Sequence, residues 1–361
     1  MISDHTLGLA IEREIITAEQ GERLSALESA ATPTEAEPQD EEKLRFVSGF
    51  GDIFVTIGLL LFLGSSGYFV LSNSGATVMC GVTAALAWLL AEFFTCRRRQ
   101  ALPSIVLLLV FAASVFATVV SLLPQVLSGS HATIQSGWRN WLVPDATGLS
   151  VALAGLVTAA MIALHYWRFK VPITIAAGAG ALVAMVLGFA RILVPELDAK
   201  TISALLFVSG ILVFLAAMRF DMSDPERRTR RTDIAFWLHL LAAPLIVHPL
   251  INGFLGGVDK SLGSAAALSI IGVFLVLGLI AIIVDRRALL VSGLTYAGIA
   301  FGSLLRQSSA TSETAPATLL VLGIFVLSLS AGWQPLRRGL LRLLPTEFAR
   351  RLPHPLTSPS T

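Results

Sequence analysis

The sequence predicts an all-α, polytopic membrane protein with about ten transmembrane helices and both termini in the cytoplasm. Three observations predict it. Of 361 residues, 55% are hydrophobic and only 14% are charged, where soluble domains carry about 25% charged residues. Ten apolar runs of near-spanning length follow one another from Phe50 onward, and a spanning helix needs about 20 such residues. The remaining charge is sorted along the chain, with a net of −7 over residues 1–45 and +9 over the rest. Together these exclude an ordinary soluble enzyme, a nucleic-acid binder and a disordered chain.

The acidic head comes first. Residues 1–29 read as a short cytoplasmic helical hairpin. Leu7, Ala10, Ile11 and Ile15 recur at helical spacing. Thr17 to Gln20 then forms a T-x-x-Q capping box for a second helix carrying Leu24 and Leu27. Residues 30–45, with Pro33, Pro38 and a run of acids, form a flexible linker. Two readings stand for this head: docking on its own membrane domain, or binding a protein partner. The first long apolar run begins too late for a cleaved secretory signal.

Residues 46–334 form the ten-helix domain. Its apolar runs lie at 52–71, 76–95, 103–124, 148–167, 171–194, 201–219, 233–255, 264–284, 288–305 and 317–334. Helix is required, because an open strand in lipid leaves its backbone polar groups unpaired. Orientation follows from Lys and Arg, which collect in cytoplasmic loops. With the N-terminus inside, 19 of the 26 Lys and Arg fall on the inner side and five on the outer. The bias favours an even number of crossings. Trp138 and Trp141 place the long outer connection, 125–147, back on the membrane surface.

Residues 335–361 form a basic amphipathic interfacial helix and a disordered tail. Leu336, Leu340, Leu343 and Leu344 share one face after Trp333 and Pro335. Arg337, Arg338 and Arg342 lie off that face, ready for anionic lipid headgroups.

Both ends carry a resemblance. The stretch Leu7-Gly-Leu-Ala-Ile-Glu-Arg-Glu-Ile-Ile-Thr-Ala-Glu-Gln-Gly-Glu-Arg-Leu24 resembles the N-terminal helical hairpin of uncharacterised bacterial multi-pass membrane proteins. The stretch Gly332-Trp-Gln-Pro-Leu-Arg-Arg-Gly-Leu-Leu-Arg-Leu-Leu-Pro345 resembles the end of such proteins. These are domains of unknown function. The resemblance implies a multi-pass protein of the bacterial inner (plasma) membrane, and no functional residues.

Ionisable and polar groups inside membrane helices are costly and mark functional sites. The seventh segment holds the most: His239, Pro244, His248, Pro249 and Asn252. Each proline removes a helix hydrogen bond, freeing carbonyls near 240 and 245. His248 and Asn252 lie one turn apart, while His239 falls about 180° away on an ideal helix. A broken helix with free carbonyls, an imidazole and an amide is how transporters build midplane sites. The bland alternative is a kinked helix whose polar groups bond its neighbours.

Elsewhere, Ala176, Gly180, Ala184 and Gly188 form a small-residue stripe, with Arg191 continuing that face toward Glu196 or an anion. Gly298 and Gly302 lie beside Tyr296 in the ninth segment. Glu92 is expected to reach toward Arg97–Arg99, and Asp52 and Asp233 to open their helices. Walker-type loops, G-x-S-x-G, H-E-x-x-H and metal-spaced cysteines are missing from the sequence. No catalytic residue, metal or cofactor is therefore predicted. The function expected is that of a non-catalytic scaffold or partner-regulated membrane component; the alternative is a secondary transporter of a small solute with a site on the broken seventh helix.

Overall fold

The computed structural model describes residues 11–13, 15–31, 50–128, 147–224, 229–254, 264–307 and 314–343. The chain divides into two units, Met1–Phe46 and Val47–Thr361. In the first, helix α1 runs Ala18–Ala31. Its capping box forms as expected: the Gln20 amide donates to Thr17 Oγ1 at 3.2 Å, and the Thr17 amide donates to Gln20 Oε1 at 3.0 Å. Most of the other head helix lies outside the described residues, as do the acidic linker and the 129–146 connection.

The second unit is all helical among the described residues. In order come α2 (Phe50–Ser74), α3 (Ala76–Ala91), α4 (Ala101–Ser128), α5 (Gly148–Phe169) and α6 (Ile173–Leu193). Then come α7 (Ala199–Met222), α8 (Arg230–His248), α9 (Ser264–Val284), α10 (Leu290–Gln307) and α11 (Thr314–Leu343). All ten apolar segments are thus helices. Two carry a widened π turn at their C-terminal end, Glu92–Arg97 after α3 and Pro249–Phe254 after α8. Nine helices among the described residues are long and apolar enough to cross a bilayer. The exception is α10, whose 18 residues include Ser292, Thr295, Tyr296, Ser303, Arg306 and Gln307. The chain is an integral, multi-pass membrane protein.

Helix α8 is the hub. Of its apolar window 61% is buried, against 11–39% in the other eight spans. One face, with Leu238, Ala242 and Ile246, packs on Ala176 of α6 and on Val213 and Ala217 of α7. Val247 and Ile251 meet Ala267, Ile270 and Leu277 of α9 and Ala300 of α10. Ala243 meets Ala281 of α9 and Trp333 of α11. A separate cluster joins α2, α3 and α4 through Leu59, Leu63, Ala87, Leu107 and Phe111. In this cluster's margin His165 of α5 is buried among Trp88, Phe111 and Phe169. Among the described residues, neither of its ring nitrogens has a hydrogen-bond partner.

Small residues bring α5 and α6 into backbone contact. A Cβ on Gly188 would meet the Ala152 backbone nitrogen at 2.2 Å, and one on Gly155 would meet that of Met185 at 2.5 Å. The predicted stripe is therefore split: Gly188 faces α5, while Gly180 faces Leu241 of α8. Asp198 caps α7, accepting from the Thr201 amide at 3.3 Å. That bond holds its carboxyl below the usual aspartate range.

Several expectations need correction. The seventh segment is not broken: α8 continues through Pro244 to His248, and the backbone widens into the π turn at Pro249. A π turn absorbs a misfitting residue without ending the helix. Nor does a separate interfacial helix begin at Pro335, since α11 runs through it to Leu343. Buried partners on both sides of the proline, Trp333 and Arg337, hold the helix in line. The packed face there is Trp333, Arg337 and Leu341, whereas Leu336 and Leu343 are exposed. Glu92 pairs with Arg168 rather than with Arg97–Arg99. Among the described residues, Arg191 and Glu196 form no ion pair.

Candidate functional site

The polar groups of the membrane unit gather where α7, α8, α9 and α11 meet. Asp221 lies in the last turn of α7, just past the end of the predicted segment. His239 lies nine residues into α8, about 14 Å along its axis from Arg230. Arg286 lies two residues past the end of α9. All three are buried, with 0–1% of each side chain exposed.

Asp221 is the shared acceptor of the group. Its Oδ2 lies 2.8 Å from His239 Nε2 and accepts from Arg286 Nε at 3.1 Å. Its Oδ1 accepts from Arg286 Nη2, completing a two-pronged guanidinium–carboxylate pair. Arg286 also reaches the Thr232 carbonyl at the start of α8, at 3.5 Å. The Phe214 ring of α7 closes over His239 edge-on, with centroids 5.3 Å apart.

Local chain geometry aims Arg286 inward. Helix α9 ends in a Schellman motif: the Arg286 amide donates to the Ala281 carbonyl at 2.9 Å, and the Asp285 amide to Ile282 at 3.3 Å. Glycine usually takes the left-handed position of that motif. Here Asp285 holds it, at φ 59°, and its carboxylate explains why. Asp285 Oδ1 accepts from Trp333 Nε1 at 2.8 Å and has Arg337 Nε 3.9 Å away. The Trp333 ring in turn carries the Arg287 guanidinium 5.2 Å from its centroid. Beside this, Asp224 Oδ2 accepts from the Thr229 amide and hydroxyl, at 2.7 and 2.6 Å, tying down the start of α8.

Among the described residues, the carboxylates of Asp221 and Asp285 face the guanidinium groups of Arg286 and Arg337. Protonating His239 adds one charge in a site sealed from water. It also gives Asp221 a second cationic partner. A carboxylate with two competing partners can trade one for the other without being left bare. That is the chemistry available here: proton uptake coupled to a choice of ion pair. Among the described residues no group of three or more His, Cys, Asp or Glu is placed to hold a metal ion.

The predicted site residues are distributed differently from expectation. His239 belongs to the buried network. His248, on the opposite side of α8, is exposed, and its Nδ1 bonds the Tyr296 hydroxyl of α10. The Asn252 side chain lies outside the described residues. Pro244 and Pro249 sit within the continuous α8 and its π turn. Arg337 is not at headgroups: only 3% of it is exposed, beside Asp285, whereas Arg338 and Arg342 are exposed. The neighbouring Asp285 carboxylate offsets part of the desolvation cost of burying it.

Sequence reasoning missed Asp221, Asp285 and Arg286. The arginines looked like ordinary inner-loop cations, and Asp221 like a residue beyond a helix end. A signal was present in Asp285-Arg286, an acid and a base together between two apolar runs. Compared with family models, curated proteins and solved structures, the chain finds no match in any of the three. The class that its fold defines is a polytopic, all-helical integral membrane protein.

Proposed function

We propose that the protein is a secondary transporter of a small solute, coupled to protons through Asp221, His239 and Arg286, and performing no covalent chemistry. One observation carries this reading: a buried histidine within a spanning helix shares a carboxylate with a buried arginine. Ionisable groups in that position mark proton relays and ion pathways. On this reading Asp221, which here bonds both His239 and Arg286, exchanges one partner for the other as His239 gains or loses its proton, and a two-state element of this kind is what alternating access requires. The seventh helix keeps its role, with the centre of interest moved from His248 to His239.

The scaffold reading is favoured by one observation of its own. The bonds of Asp221 to His239 and Arg286, and of Asp285 to Trp333, tie α7, α8, α9 and α11 together as a permanent lock. On that reading the acidic head recruits a protein partner. Either way, the charge bias and the N-terminal resemblance support a bacterial inner-membrane location with both termini in the cytoplasm.

Hydrogen exchange of the full-length protein in lipid nanodiscs separates the two, measured well below and well above the ordinary histidine pKa of about 6.5. A transporter is expected to lose protection around residues 219–240 and 280–290 on one side of that range, and His239→Gln to abolish the change. Identical protection at both pH values in the wild-type protein would exclude proton coupling here and leave the lock.

A further inference from the structure

Two helix connections at one end of the membrane unit concentrate exposed positive charge that the buried network does not use. The π turn Glu92–Arg97 leads α3 through Arg98, Arg99 and Gln100 into α4. Helix α5 passes through Lys170 and Pro172 into α6. Glu92 stitches the two together, accepting from Arg168 Nε at 3.0 Å and Nη2 at 2.6 Å. Below that pair, the Trp88 and Phe169 rings touch with centroids 5.3 Å apart.

Glu92 is thereby committed to Arg168. Arg97, Arg98, Arg99 and Lys170 are exposed and form no ion pair with an acid among the described residues. Arg99 and Lys170 both adopt left-handed backbone, φ 53° and 54°, so each cation stands at a tight turn. The Arg98 guanidinium rests 5.6 Å from the Phe93 ring centroid. Helix C-termini nearby carry partial negative charge, about half an elementary charge each. Two such ends cannot neutralise four full cations.

Position selects the ligand. These residues close the spans Ala76–Arg97 and Gly148–Phe169, so they stand at headgroup level. Trp167, 75% exposed, and the exposed Tyr166 lie beside them, as aromatic side chains do at a membrane interface. Exposed apolar residues Val78, Val82 and Leu89 of α3, and Phe93 of its π turn, form a strip leading up to the arginines.

We infer that this patch binds the phosphate headgroup of an anionic phospholipid, gripped by Arg97, Arg98, Arg99 and Lys170 while its acyl chains lie along the exposed strip of α3. Guanidinium groups match phosphate oxygens two at a time. A soluble phosphate offers the same oxygens, but it would leave the apolar strip unused. The site shares no residue with the proposed transport centre, and either can fail without the other.

The test is native mass spectrometry of the full-length protein in detergent, titrated with phosphatidylglycerol, phosphatidylcholine or inorganic phosphate. Wild-type protein is expected to retain phosphatidylglycerol over phosphatidylcholine. The quadruple variant Arg97→Gln, Arg98→Gln, Arg99→Gln, Lys170→Gln should bind it about tenfold more weakly or worse. Replacing the three arginines by lysine keeps the charge but loses the fork, and should give an intermediate loss with the fold undisturbed. The comparator Arg338→Gln, Arg342→Gln should retain the lipid. Equal retention by wild-type and quadruple variant would overturn the inference, as would equal loss in the comparator. Binding of inorganic phosphate without phosphatidylglycerol would assign the patch to a soluble anion and overturn the lipid.

Discussion

Asp221 holds two donors from different parts of the chain, so substitutions there separate charge from shape. Asp221→Asn keeps the outline of the side chain but leaves Arg286 buried beside a neutral amide. Removing one partner of a buried ion pair costs about 3–5 kcal/mol, and a matching fall in thermal stability is expected in detergent. Adding Arg286→Met removes the stranded charge as well, and should recover most of the loss. A double variant as unstable as the single one would show that Arg286 is not the group that Asp221 compensates. His165 poses the opposite case. Its buried ring nitrogens lack partners among the described residues, while its ring packs against three aromatic neighbours. An unsatisfied buried polar group costs about 1–3 kcal/mol. His165→Phe keeps the stacked shape and should raise the unfolding temperature, whereas a fall would mean that His165 is solvated or bonded in the native protein.

At the scale of elements, the α5–α6 hairpin is the tightest joint in the unit, and its geometry leaves no room for error. A methyl group at residue 188 would sit 2.2–2.8 Å from backbone atoms of α5, which cannot swing aside as a side chain could. Gly188→Ala should therefore cost about 1–3 kcal/mol or more through overpacking. The same change at Gly58 of α2, where a Cβ would meet nothing within 4 Å, is expected to be neutral or slightly stabilising. The pair of variants isolates the contact from the loss of backbone freedom. Comparable melting temperatures for the two would refute the close approach. In α11 and α8, by contrast, tertiary partners outrank a local breaker. Pro335 and Pro244 each lie inside a helix that runs on past them.

Across the whole molecule, helix count and placement were legible because a bilayer imposes one requirement on every span: about 20 apolar residues in a row. All ten segments proved to be helices, with ends displaced by a few residues. The buried network was not legible for the same reason in reverse. Reading stopped where apolarity stopped, and Asp221, Asp285 and Arg286 lie just past those limits. Only the packing of four helices turns them from loop charges into a buried cluster. Those contacts also decide the path of α10. Asp285, at the end of α9, bonds Trp333, about 29 Å along α11 from Thr314. The end of α9 therefore lies beside the later part of α11, and α11 begins at the far end of the unit. The chain must travel between those ends along α10, whose 18 residues span about 27 Å. A crossing by α10, despite its polar content, is therefore the expected outcome, and it would preserve the alternation on which the charge bias rests. Labelling in intact cells and in inverted vesicles tests this. In a variant with Cys80→Ala, a membrane-impermeant thiol reagent should reach Cys96 only from the cytoplasmic side. With Cys96→Ala added, a cysteine placed by Glu196→Cys should react only from the outside, and one placed by Arg338→Cys only from the cytoplasmic side. Labelling of the position-338 cysteine from the same side as the position-196 cysteine would mean that α10 does not cross.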